Sequence, residues 1–517
     1  MKTTLMMLCA LAPAFGAIDR PVRIDTGVIS GIAGGSPGIV AFKGIPFAAP
    51  PVGDLRWKAP RPAAKWDGVR AMDKFQSPCV QPMRNAPGEI RGSEDCLYLN
   101  VWTPAKSDKD RLTVMVWVHG GGFRDGTGAM PLYDGEQFAR KGVVLVTINY
   151  RLGVIGFLAH PELSRESGHG SGNYGLMDGI AALEWVKRNI AAFGGDPAKV
   201  TLFGQSAGSM AVNCIQASPL AKGLFRAVIG QSGASFYGML NNGALADAER
   251  KGARFAQSAG ANSLSALRAK SAAELAKLAF NAGPNTDGYV LPQDPLAIFE
   301  NGKQNRVAVL TGSNSDEGKL FVRGSTTAAE FTADARKRFG AAANEYLKLY
   351  PAANDAQANE SRQRAATVER MGLNARTWAD LTVKSGARAY IYYLTRITPA
   401  DPKAPHVGGL VLGSPHGEDL GYVFNNLGDP AKYKASNTFR DSLPGEYDLK
   451  LSEIVQSYWV HFANTLDPNG PGLPHWDAFD PKKPGMVMEL GDKVGMRLHP
   501  DDAGTLFFAQ HHPELAQ

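Results

Sequence analysis

Residues 201–213 read TLFGQSAGSMAVN, and this stretch decides the fold. It joins a short apolar run, Val200, Leu202 and Phe203, to a helix-like run in which Ala207, Met210, Ala211 and Ile215 share one face. Between the two stands Gly204-Gln205-Ser206-Ala207-Gly208, a G-x-S-x-G pattern. In a chain with 58 Gly those five letters alone are common, so the strand-turn-helix setting carries the weight. A turn this tight strains the serine backbone, and side chains two residues to either side of it collide with the adjoining strand and helix. Glycine at 204 and 208 removes that collision. A serine at a helix start also faces unpaired backbone N–H groups and the positive end of the helix dipole, a setting that suits a negative charge forming beside it.

Outward from the turn, short buried runs alternate with helical ones. Residues 97–102 and 113–118 predict strands, the second being the β-branched run TVMVWV of a strand buried on both faces. It ends at His119-Gly120-Gly121-Gly122-Phe123, where only glycine lets the backbone approach a substrate oxygen closely. VVLVTINY at 143–150 predicts a further strand, and residues 176–189 carry Met177, Ile180, Leu183 and Val186 on one helical face. More strands are expected at 227–231, 307–311 and 389–394, and a late amphipathic helix through Leu451, Ile454, Val455, Tyr458 and Phe462. Strand, helix, strand, elbow, helix is the signature of a parallel sheet. The expected class is α/β, an α/β-hydrolase fold with a mostly parallel central sheet, helices on both faces, and helical insertions near 234–300 and 323–387. Residues 22–43 predict a small N-terminal sheet, and the proline-rich segment 44–62 is expected to wrap the surface.

The 517 residues hold 44% hydrophobic and 20% charged residues, ordinary globular values that exclude disordered and fibrous classes. The formal charge of +6 is dilute, and no run of Lys and Arg tracks a phosphate backbone, so nucleic acid is not an expected partner. Residues 1–16, with Lys2, an apolar run from Leu5 to Ala12 and small residues around Ala14 and Gly16, predict a cleaved signal peptide. The remainder, 17–517, is expected to form a single domain that is secreted or periplasmic. No later apolar run is long enough to span a bilayer, so stable membrane insertion is not expected. Cys79 and Cys96 lie 17 positions apart, and in an oxidising compartment they can close a loop worth roughly 3 kcal/mol. Cys214 reads as a small apolar helix residue.

A serine hydroxyl needs a base to take its proton and a carboxylate to hold the base. In this fold the order along the chain is serine, acid, histidine, which removes His119, His160 and His169. His416, in the loop Gly413-Ser414-Pro415-His416-Gly417, is favoured, with His406 its competitor in another Pro/Gly loop. His461 belongs to the late helix and His475 to a Pro/Gly-rich tail. For the acid, Asp316 and Glu317 both follow a strand end, and spacing does not separate them.

Many blocks in order resemble the type-B carboxylesterase family, which includes cholinesterases and bacterial p-nitrobenzyl esterases. They are GIPFAAPPVGDLRW, SEDCLYLNVW, HGGGF, NYRLGVIGFL, GNYGLMDGIAALEWVKRNIAAFGGDP, TLFGQSAGS, TDGYVLPQDP, NSDEG and SPHG. The resemblance implies a Ser206–Glu317–His416 triad, choosing Glu317 over Asp316, with oxyanion donors on the N–H groups of Gly121, Gly122 and Ala207. It also implies a Cys79–Cys96 disulfide and structural ion pairs Arg56–Glu94 and Arg151–Asp178. The expected activity is hydrolysis of small-molecule carboxylic esters through an acyl-enzyme, with no cofactor or metal. Thioester or amide cleavage by the same apparatus and a catalytically dead binding relative are the alternatives. The chain departs from cholinesterases in having Gln205 where they have Glu, and in having no tryptophan between Cys79 and Cys96. Specificity for quaternary ammonium groups is therefore not implied, and the cysteines present cannot form the two further cholinesterase disulfides.

Overall fold

The β-branched run at 113–118 becomes the strand Leu112–Val118, buried along all but its first residue. In the computed structural model, which describes residues 18, 20–84, 86–237, 239, 243–403, 413–483 and 485–512, that strand lies inside an eleven-stranded sheet. The expected leader and His406 fall outside the described residues. In chain order the strands are Ile32–Ala33 (β1), Val40–Pro46 (β2), Tyr98–Thr103 (β3), Leu112–Val118 (β4), Val144–Ile148 (β5), Gly195–Gln205 (β6), Ala227–Gln231 (β7), Ala308–Asn314 (β8), Ala389–Leu394 (β9), Met486–Leu490 (β10) and Val494–Leu498 (β11). Across the sheet they run β11-β10-β9-β8-β7-β6-β4-β5-β3-β2-β1. From β10 across to β5 every pairing is parallel. The flanks, β11 on one side and β3, β2 and β1 on the other, pair antiparallel. A mostly parallel central sheet is thus present.

Strand alternation divides the core between the two faces. On one face Val114, Val116 and Val118 of β4 and Val144, Val146 and Ile148 of β5 pack with Ile180, Leu183 and Val186 of Tyr174–Asn189 (α1), Met210 and Cys214 of Ala207–Ala217 (α2), and Trp378 of Leu373–Lys384 (α3). On the other, Met115, Trp117 and Leu145 pack with Tyr422 and Phe424 of Asp419–Phe424 (α4) and Leu451, Val455, Tyr458 and Phe462 of Glu446–Thr465 (α5). Further helices fill the regions before and after β8, among them Leu245–Ser258, Ala328–Phe339 and Asp355–Thr367. Among the described residues no helix is long and apolar enough to cross a membrane.

Val22–Ile24, Gly27–Ser30 and Val69–Ala71 form a small separate sheet, while β1 and β2 join the large one. The segment 44–62 meets expectation in part: Pro50, Val52, Gly53, Asp54, Arg61 and Pro62 are exposed, but other residues sink into the core. β2 runs through to Pro46, and Phe47, Ala48, Arg56 and Trp57 are buried rather than laid on the surface. Polar pairing permits this: both Arg56–Glu94 hydrogen bonds are 2.6 Å, Arg56 Nη1 also meets the carbonyls of Arg268 and Lys270, and Trp57 Nε1 donates to Val154 O at 2.9 Å. Arg151 and Asp178 join the end of β5 to α1 through two 2.8 Å bonds between fully buried side chains. Cys79 and Cys96 are disulfide-bonded, and Cys214 is buried beside Ser235 Oγ, where burial pushes its thiol up to about 12.

Candidate active site

Ser206 lies between the end of β6 and the start of α2 with φ 58° and ψ −127°, a conformation costly for any residue with a side chain. Neighbouring backbone holds it there: Ser206 N donates to Gln231 O at 2.8 Å, and Met210 N donates to Ser206 O at 2.9 Å. The flanking glycines are required by space. A Cβ at 204 would stand 2.6 Å from the Gly208 carbonyl, and one at 208 would stand 2.1 Å from Val118 O. Within the elbow only Ser206 reaches solvent; Gly204, Gln205, Ala207 and Gly208 are buried.

Val118, the last residue of β4, is in register with Gly204, so the glycine tract that follows lies against the elbow. A Cβ on Gly120 would stand 3.1 Å from Ser206 Cβ. Gly121 and Gly122 follow with φ of 117° and 62°. Among the described residues the N–H groups of Gly121, Gly122 and Ala207 donate to nothing, and the first two are open to solvent. His119 does not compete as a base: burial lowers its pKa to about 4, and its Nδ1 meets Gly120 O at 2.8 Å.

Glu317 and His416 enter from the other side of the elbow. β8 ends at Asn314, and the turn beyond it buries Glu317 completely. Glu317 Oε1 accepts from Ser232 Oγ at 2.9 Å and from Asn314 N at 2.5 Å, while Oε2 hydrogen-bonds His416 Nδ1. Asp316 turns away to Lys319, 3.0 Å from its Nζ. The choice that spacing left open is thus made by direction: Glu317 points at the imidazole and Asp316 does not. His416 sits just before α4 with its side chain 16% exposed, and its Nε2 meets Gln205 Nε2 at 3.1 Å. With the Nδ1 proton given to Glu317, Nε2 is an acceptor and the Gln205 amide is its donor. Ser206 Oγ makes no hydrogen bond to it among the described residues. Burial disfavours the imidazolium, but the hydrogen bond and charge of Glu317, with Asp419 behind it, outweigh burial and hold the His416 pKa above the ordinary histidine value.

His461 packs where a Cβ on Gly470 would fall, 2.3 Å from its Nε2, and exposed His475 pairs with Asp477 at 3.1 Å. Sequence reasoning missed the polar residues behind Glu317 and His416. Ser232 holds Glu317, and Gln231 Nε2 donates to buried Asp419 Oδ2 at 2.6 Å. Asn314 Nδ2 donates to Pro415 O at 2.8 Å, tying the acid turn to the histidine loop. A signal was present: Gly230-Gln231-Ser232 repeats Gly204-Gln205-Ser206, and the two triplets end neighbouring strands with Gly204 opposite Gly230 and Gln205 opposite Gln231.

An open hydroxyl, an imidazole fixed in one tautomer by a buried carboxylate, and unpaired N–H groups are the parts of an acyl-transfer site. Comparison with known proteins agrees. Residues 19–505 match the carboxylesterase family. The chain is 37% identical over 513 residues to the fumonisin B1 esterase of Sphingopyxis macrogoltabida, covering 95% of this chain and 91% of that one. It is 36% identical over 470 residues to the para-nitrobenzyl esterase of Bacillus subtilis (strain 168), covering 86% and 89%. A solved PNB esterase superposes with a TM-score of 0.79 at 32% identity over 94% of this chain and 99% of that one. The protein therefore belongs to the carboxylesterase family and is a serine carboxylesterase, a hydrolase of carboxylic esters.

Proposed function

We propose that hydrolysis proceeds through Ser206, His416 and Glu317 by way of a covalent acyl-enzyme. The observation that carries this reading is the His416 ring, bonded to buried Glu317 on one side and reaching the elbow through Gln205 on the other. When an ester enters, His416 Nε2 exchanges the Gln205 amide for the Ser206 hydroxyl and takes its proton as Oγ attacks the carbonyl carbon. The carbonyl oxygen becomes negative and is received by the N–H groups of Gly121, Gly122 and Ala207, each donor typically contributing about 3 kcal/mol at the transition state. The imidazolium, steadied by Glu317, returns the proton to the departing alcohol. Water then repeats the sequence on the acyl-enzyme and frees the acid.

Para-nitrobenzyl esterase and fumonisin B1 esterase are among the relatives whose names indicate esters. Small-molecule esters are the substrate class proposed here, and thioesters or amides would use the same parts. Ser206→Ala is expected to lower turnover of p-nitrophenyl butyrate by about 10⁴-fold or more while leaving the circular dichroism spectrum unchanged. A fluorophosphonate probe should label the parent protein at Ser206. Undiminished turnover in the variant would reject the nucleophile, and an unlabelled parent would favour a binding protein. We further read residues 1–16 as an export leader and 17–517 as one catalytic domain, supported by the Cys79–Cys96 disulfide, a bond that persists in oxidising compartments.

A further inference from the structure

We propose that Gln81 is a positioning residue for the oxyanion turn, and that the Cys79–Cys96 disulfide acts on turnover through it. The inference rests on the donor roles proposed above for Gly121 and Gly122. The turn has little internal support: the N–H groups of Arg124 and Asp125 donate to Gly121 O at 3.1 and 3.2 Å. From outside it is held by Gly153 N, which donates to Phe123 O at 2.7 Å, by Tyr150 Oη, which donates to His119 O at 2.9 Å, and by Gly126. That residue, at φ 122°, packs so closely on the start of the turn that a Cβ would stand 2.3 Å from His119 Nδ1 and 2.6 Å from Gly120 O. Where Gly126 goes, the His119–Gly120 backbone must follow.

Gln81 grips Gly126 from both sides of its peptide. Gly126 N donates to Gln81 Oε1 at 2.9 Å, and Gln81 Nε2 donates to Gly126 O at 2.8 Å. The side chain is fully buried. Its amide can face only one way, because Oε1 also accepts from Arg91 Nη2 at 3.1 Å while Nε2 also donates to Cys79 O at 2.8 Å. Gln81 is thus indexed to one half-cystine. The other is tied to the same segment through Asn149, whose Nδ2 donates to Cys96 O at 3.2 Å and whose Oδ1 accepts from Gly128 N at 2.9 Å. A third clasp, Arg84 Nε to Asp125 Oδ1 at 2.9 Å, comes from the same cross-linked loop. The glycine donors therefore stand on a frame whose two ends are the bonded cysteines.

The test compares kcat, KM and transition-state mimicry in the full-length enzyme. A trifluoromethyl ketone is the probe: Ser206 Oγ bonds to its carbonyl carbon, the π pair moves to oxygen, and the hydroxyl proton passes to His416, leaving an oxyanion at the glycine N–H groups. Gln81→Ala is expected to lower kcat for p-nitrophenyl butyrate by about 100-fold, the scale of a misplacement near 1 Å, with KM within about threefold and ketone affinity falling in parallel with kcat. The double variant Cys79→Ala/Cys96→Ala should show the same parallel loss. Gln81→Glu, which keeps the acceptor facing Gly126 N and Arg91, carries the test if Gln81→Ala does not fold. A folded Gln81 variant with kcat and ketone affinity within about twofold of the parent would overturn the inference, even if its melting temperature fell. A parent enzyme that forms no adduct with the ketone would instead overturn the reading of the site itself.

Discussion

As the proposed base, His416 must lose its proton to act, in a setting that favours keeping it. Glu317 and Asp419 raise its pKa against the opposing effect of burial, so turnover is expected to fall with decreasing pH through a midpoint above about 6.5. A kcat/KM profile with its acid limb in the ordinary carboxylate range would assign the base elsewhere. The same shift carries a stability contribution that is complete below about 6.5 and lost as pH rises through the folded value. The working range of the base is therefore where this contribution disappears. Two positions on, buried Glu418 accepts from Thr398 N at 2.9 Å, and burial pushes its pKa up to about 7 from an ordinary 4.5. A carboxyl raised in the fold destabilises it once ionised. Relative to the parent, Glu418→Gln is expected to gain about 2.5 kcal/mol of unfolding free energy between pH 5 and pH 8, read from urea denaturation at each pH. An unchanged gap would mean that Glu418 titrates normally.

The elbow between β6 and α2 tolerates almost no added volume. Gly208→Ala drives a methyl to 2.1 Å from Val118 O, backbone at the end of β4. It is expected to cost at least about 2 kcal/mol in unfolding free energy and to lower kcat with it, since the strand end leads into the glycine tract. A variant with parental denaturant midpoint and turnover would remove the elbow from its role. The elbow was legible because its constraint is local: a glycine on each side of one serine, with a buried strand before and an apolar helix face after. β4, β5 and α1 were legible for the same reason, the two strands as continuous apolar runs and the helix by its one-faced spacing. β10 and β11 were not. β11 is partly or fully exposed along its length and takes its conformation from antiparallel pairing with β10, which no local pattern announces. For Arg56 the resemblance supplied the partner Glu94, but the carbonyls of Arg268 and Lys270, which let its guanidinium be buried, arrive from elsewhere in the chain and no local pattern announces them. Spacing could not choose between Asp316 and Glu317, since both follow β8; the resemblance chose, and in the fold one carboxylate turns to Lys319 and the other to His416. Ser232, which supports Glu317, was signalled only by the repeated Gly-Gln-Ser triplet, and buried Asp419 carries no motif that names a partner.

At the scale of the whole molecule, one sheet separates two apolar cores and carries the site at the ends of its parallel strands, with the cross-linked loop braced against the rim. A covalent tie of that kind fits a protein that works outside a reducing cytoplasm. N-terminal sequencing of the enzyme recovered from the exported fraction is expected to begin near residue 17. An active cytoplasmic pool retaining residues 1–16, with Cys79 and Cys96 as thiols, would refute export. The side chains proposed for catalysis are also far apart along the chain: Ser206 comes before its midpoint, and His416 belongs to its last fifth. A growing chain on the ribosome thus carries Ser206 without the base proposed for it until the last fifth of its synthesis. The lipids and metabolites of the cell that makes it meet no working esterase until translation is nearly over.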